Sequence, residues 1–187
     1  MSTTWFRILL ILLFFSAHAC KRGSKREQLP QSSITGTEKV ENAVSDDDAA
    51  LLKDTYTENL AMIESSKIAL NSSRNQTVIE LSRSLIDQRL RQNEIIRKLC
   101  TRRNVSLENS LDREQARSMS VLSNKSGKGF DKVYTGYLEK SFSEDLLKFK
   151  KASVETTDDE IRMLLKDMQS GIEQQAQKNK ELAAVLQ

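Results

Sequence analysis

The sequence predicts an all-α fold, a four-helix bundle of two antiparallel hairpins, and three observations carry that prediction. From position 45 onward apolar residues recur at helical spacing. Polar N-cap signals open the long segments. No stretch alternates apolar and polar residues between Asn-Gly or Asp-Gly turns, as strands would. Residues 45–187 therefore read as one helical domain, of a size that buries a real core.

Ser45 before Asp46, Asp47 and Asp48 is an N-cap with acids on the positive helix end. The first helix is expected to bury Leu52, Tyr56, Leu60, Ile63 and Leu70, and residues 71–77 form a polar turn. The second helix carries Val78, Leu81, Leu85, Ile95, Ile96 and Leu99, with Gln88 and Gln92 interrupting its stripe. A longer connection, 101–129, holds a short helix over 111–122 and ends in Ser126-Gly127-Lys128-Gly129. No strand precedes that Gly-Lys-Gly segment, so it is not a phosphate loop. The third helix faces inward with Phe130, Val133, Tyr134, Tyr137, Leu138, Leu146 and Phe149. Thr157 and Glu160 have capping-box spacing and open a fourth long helix with Ile161, Leu164, Leu165, Met168, Ile172, Leu182 and Leu186. Short turns within each hairpin and one long connection between them suit a ferritin-like arrangement; an up-down-up-down bundle is the alternative.

The first twenty residues are a different kind of segment. Arg7 precedes an unbroken apolar run, Ile8 to Phe15, and then Ser16-Ala17-His18-Ala19-Cys20. A positive start, a short apolar core and small residues before a cut are the marks of a secretory signal. From Ile8 to Ala19 a helix would span about 18 Å, well short of a bilayer core of roughly 30 Å. Residues 1–19 are thus expected to be cleaved. Cys20 then becomes either a lipid-bearing N-terminus, as small-x-small-Cys suggests, or the free first residue after an ordinary signal-peptidase cut at Ala17-x-Ala19. Several acyl chains on Cys20 would anchor the chain stably. Residues 20–44, with the only proline, Pro30, read as the lipidated cysteine and a disordered tether reaching on the order of 25 Å. Lys21, Arg22, Lys25 and Arg26 lie beside the anchor, as a solvated segment or a contact to anionic headgroups.

Without residues 1–19 the chain holds 28 basic and 26 acidic side chains, a balance that argues against nucleic acid as the main partner. The chain's single histidine is His18, which leaves with the signal. His-based triads and acid–base catalysis therefore fall away, as do zinc sites of the usual Cys/His kind.

A set of ordered segments also resembles a known group. Ile63-Glu64 with Lys67-Ile68-Ala69, Leu85-Ile86-Asp87 with Asn93, residues 104–107, and Phe130-Asp131-Lys132-Val133-Tyr134 are similar to bacterial exported proteins described as predicted outer membrane proteins. That group has a ferritin-like domain of unknown function, and the similarity runs from about Thr57 to Leu186. The resemblance implies an outer-membrane lipoprotein facing the periplasm. Members of the group usually carry Asp-His pairs on the second and third long helices and a histidine on the fourth. The corresponding positions here are Gln88-Arg89, Ser141-Phe142 and about Gln175.

Glu64, Asp87 and Asp145 are the inner-face candidates for a carboxylate-only hard-cation site, against the plainer reading of solvated or helix-pairing acids. Cys100, near Lys98, Arg102 and Arg103, is either a packed thiol or a reactive one. Asn71, Asn75, Asn104 and Asn124 begin Asn-x-Ser/Thr sequons and read as turn and cap residues. The expected function is a non-catalytic, lipid-anchored envelope protein with a binding or structural role, a protein partner in the envelope and no cofactor beyond the Cys20 lipid. The alternatives are a ferritin-like metal or redox protein using carboxylates only, and a secreted soluble four-helix factor.

Overall fold

Ser45 opens the first helix as its spacing predicts: the hydroxyl accepts from the Asp48 amide at 3.1 Å, with three acids in the first turn. The computed structural model describes residues 44–186; the signal segment, Cys20 and the tether lie outside them. The described residues are all-α, with five helices and no strand. They are α1 (Asp46–Ser72), α2 (Gln76–Arg102), α3 (Arg113–Ser123), α4 (Gly127–Glu155) and α5 (Asp159–Val185).

Three-residue links turn α1 back along α2 and α4 back along α5, and the two members of each pair pack extensively. Further contacts join α1 to α4 and α2 to α5, while short α3 lies over α1 and α4. Polar contacts fix the directions. Asp48 at the start of α1 accepts from Thr156 Oγ1 beyond the end of α4 (3.0 Å), and Ser73 after α1 donates to Asp131 near the start of α4 (2.5 Å). At the end of α2, Arg103 meets Asp158 at the start of α5 (2.9 Å). Arg102 pairs there with Glu160.

Several helix ends carry the chemistry that their residues dictate. Asn75 caps α2, accepting from the Thr77 amide at 2.9 Å. At the other end of α2, Asn104 takes the left-handed conformation (φ 56°). Val105 N–H then returns to the Cys100 carbonyl at 2.9 Å, and Asn104 N–H to that of Thr101 at 3.4 Å. This is a Schellman closure with asparagine where glycine is commonest. Asn124 follows α3, and Asn71 lies in the last turn of α1. The four sequon asparagines thus sit at caps and helix ends.

Four local expectations need correction. The N-cap of α5 is Asp158, not Thr157: its carboxylate accepts from the Glu160 and Ile161 amides (2.9 and 3.1 Å), and Thr157 is exposed. Thr156, tied to Asp48, also accepts from the Asp158 amide (3.1 Å), which delays the helix by one residue. α3 starts at Arg113 because Asp112 and Gln115 form the capping box. Ile95 is 48% exposed, since adjacent residues 95 and 96 point about 100° apart and Ile96 takes the inner position. Leu60 and Leu186 flank the core instead of filling it, and Leu70 is only partly buried.

The centre is built from Leu52, Leu85, Ile96, Leu138, Phe142, Phe149, Ile161, Met168 and Ile172, all essentially inaccessible. The Phe130 and Tyr134 rings stack with centroids 5.3 Å apart.

Candidate functional site

Helical spacing places polar residues on the inner stripes among these apolar ones. On α2 the buried stripe reads Leu85, Arg89, Gln92, Ile96, Leu99, and on α4 it reads Leu138, Phe142, Asp145, Phe149. Steps of three and four residues put all of them on one helix face. A guanidinium and a carboxylate are thereby carried into the core.

Arg89 is 1% exposed, the largest fully buried side chain among the described residues. Its Nη1 donates to Asn59 Oδ1 on α1 (3.0 Å) and to Gln92 Oε1 (3.2 Å). Its Nη2 donates to Asp145 Oδ2 on α4 (3.2 Å). Asn59 passes the polarity on: its Nδ2 donates to Asn93 Oδ1 (2.8 Å), and Asn93 Nδ2 donates to the Tyr56 carbonyl (3.3 Å). The two amide orientations follow from the ends of this relay. A backbone carbonyl only accepts and a guanidinium only donates, so each asparagine has one consistent choice. Nε of Arg89 has no hydrogen-bond partner among the described residues.

Electrostatics follow from burial. Burial pulls Arg89 down from its ordinary value while Asp145 opposes it; an arginine starts so far above neutrality that it stays charged. Burial pushes the Asp145 carboxyl up to about 6, with Arg89 pulling it back. Lys148, one turn further along α4, lies 3.8 Å from Asp145 and pairs with Glu58 of α1; burial brings it down to about 8. Asp145 also lines an open cleft of about 260 Å³ between α1, α3 and α4, together with Glu58, Tyr137, Ser141 and Glu144.

A second polar group lies one layer away, where Tyr134 OH meets Ser66 Oγ (3.0 Å) and Ser82 Oγ (3.1 Å). Burial pushes this phenol up to about 12. Between α2 and α5, Gln175 donates to Ser84 Oγ (3.1 Å), and Gln88 lies against Gly171. Asn179 of α5 donates to the Thr135 carbonyl of α4 (2.9 Å).

The profile of a domain of unknown function, DUF4142, matches residues 35–182. The chain belongs to the DUF4142 family. No curated protein and no solved structure matches it.

In this DUF4142 domain the three carboxylates singled out from the sequence do not converge. Glu64 is half-exposed and pairs with Lys67 on its own helix (3.5 Å), and Asp87 lies on the exposed side of α2. Only Asp145 is inside, and its partner is Arg89. Among the described residues no three His, Cys, Asp or Glu side chains group together. A divalent ion at Asp145 would also meet the fixed charge of Arg89, so this residue set does not fit a carboxylate metal centre. Of the two readings of Cys100, its burial favours the packed thiol: it is 1% exposed, and burial pushes its thiol up, outweighing Lys53. Cys20 lies outside the described residues. No helix among the described residues is long and apolar enough to cross a membrane.

The residues that sequence reasoning missed are Asn59, Gln92, Asn93 and Arg89 as a connected group. The readable signal was their position: each falls where the inner stripe calls for an apolar side chain.

Proposed function

We propose that this DUF4142 protein is exported, anchored by lipid on Cys20, and carries a non-catalytic helical domain with a binding or structural role in the cell envelope. The observation that carries the non-catalytic part is the buried Arg89–Asp145 pair. It occupies the middle of the four long helices and commits the one internal carboxylate of that layer to a permanent internal cation. Export and lipidation rest on the positive, apolar and small-residue order of residues 1–20. The outer membrane is the address suggested by the resemblance.

The domain is read as a ferritin-like four-helix bundle. Supporting this, α1 runs against α2 and α4, α5 runs against α2, and the segment carrying α3 has to travel from the end of α2 back to the start of α4. That is two hairpins joined by one crossover.

Mass spectrometry of the mature N-terminus tests the address. Diacyl or triacyl Cys20 is expected, and an unmodified Cys20 would make the protein a soluble secreted one. Metal analysis and thermal unfolding of the full chain test the rest. The midpoint should be unmoved by chelators, and stoichiometric iron or manganese whose removal lowers it would refute the non-catalytic reading.

A further inference from the structure

Three acceptor oxygens from three helices converge on one buried planar cation. Asn59 Oδ1 from α1 and Gln92 Oε1 from α2 lie 3.0 and 3.2 Å from Nη1 of Arg89, and Asp145 Oδ2 from α4 lies 3.2 Å from Nη2. One acceptor is held from behind by a further hydrogen-bonded chain, and the other two by their places in the packed stripes. Asn59 is fixed by Asn93, and Asn93 by the Tyr56 carbonyl. Gln92 and Asp145 stand on the inner stripes of long helices whose neighbouring stripe residues, Ile96 and Phe149, are wholly buried. Such preorganised acceptors suit a flat, forked donor much better than a compact, strongly hydrated point charge.

We infer that Asn59, Gln92 and Asp145 form a binding site for a guanidinium-type cation, filled in the native protein by the protein's own Arg89. The site is specific in shape as well as in charge, and it does not depend on export or on the anchor. Arg89 is tethered by its aliphatic stem, so the occupant is always present. Removing that stem and head leaves the oxygens facing a void with Asp145 at its edge. Asp145 also lines the open cleft between α1, α3 and α4, which puts one of the three acceptors at a solvent-reached surface.

The test is chemical rescue in the full chain. Arg89→Ala should lower the thermal midpoint, and guanidinium chloride, kept well below denaturing concentration, should restore at least half of the loss in a saturable way. Equal concentrations of sodium chloride or urea should not. Arg89→Met fills the same space with an apolar stem, so guanidinium should only lower its midpoint, as it does for the unmodified chain. Should Arg89→Ala fail to fold, Arg89→Ala/Asp145→Asn removes the uncompensated buried charge while keeping three acceptor oxygens, and guanidinium should raise its midpoint. No saturable rise in the variant that folds, a rise matched by sodium chloride, or an equal rise with Arg89→Met would overturn the assignment.

Discussion

Asp145 Oδ2 lies 3.2 Å from Nη2 of Arg89, and this buried ion pair joins α2 to α4 with the arginine wholly inside and the carboxylate at the edge of a cleft. Taking two charges out of water costs several kcal/mol for each ion, and here the return comes through hydrogen bonds to Asn59 and Gln92 as well as through the pair itself.

Breaking the pair from one side should therefore be severe. Arg89→Met or Asp145→Leu alone is expected to cost about 3–5 kcal/mol, because the surviving charge is left buried. The double variant should lose far less than the sum. Urea unfolding of all four proteins measures the coupling, and additive losses would show that the pair is not coupled.

Asp145 also gives the fold a pH dependence of definite sign. Its folded value is pushed from 3.8 up to about 6, chiefly by burial. The folded chain thus holds this proton more tightly than the unfolded chain does. The contribution is fully present below 3.8 and is lost as pH rises through about 6. The stability of the native protein relative to Asp145→Asn should fall across that window. A difference that stays flat or rises would contradict the assigned shift.

Gly171 is set by the neighbouring helix. A Cβ there would lie 2.1 Å from Gln88 Nε2, and Gln88 Oε1 already lacks a partner among the described residues. Gly171→Ala alone should displace Gln88 and gain little. In the Gln88→Ala background the same change should add about 0.5–1 kcal/mol, the ordinary helix preference of alanine over glycine. Thermal unfolding of the four proteins separates the two effects.

Cys100 should be inert in the native protein. Its thiol is buried and held in the protonated form, so thiol-specific reagents are expected to label it only on unfolding. Labelling at the rate of an exposed cysteine under native conditions would show that α2 opens locally near its end.

Much of this architecture was legible because helices announce themselves through periodicity and caps. Ser45 with its three acids, the turn near Asn75 and the apolar stripe from Ile161 to Ile172 all fold as read. Boundaries were harder where two cap residues compete, as Thr157 and Asp158 do; the choice depends on Thr156 bonding to Asp48, more than a hundred residues away. The polar core was the least legible part. Arg89 is one of many charged residues on its helix; its spacing from Leu85 and Ile96 puts it on the inner face, but does not say what it meets there. Only the meeting of α1, α2 and α4 turns Asn59, Arg89 and Asp145 into one network. Gln88 and Gln92 looked like interruptions of a stripe, yet Gln92 is on the stripe and Gln88 is beside it.

The capped relay from the Tyr56 carbonyl through Asn93 and Asn59 to Arg89 and Asp145 also fixes the heights of three helices against each other. Faces made only of leucine and phenylalanine tolerate a slip of one turn, about 5.4 Å, because one greasy contact replaces another. A forked cation and its acceptors match at one level alone. The polar core therefore works as a vernier: it contributes little driving force for collapse, but among the many ways of stacking these helices it singles out one alignment.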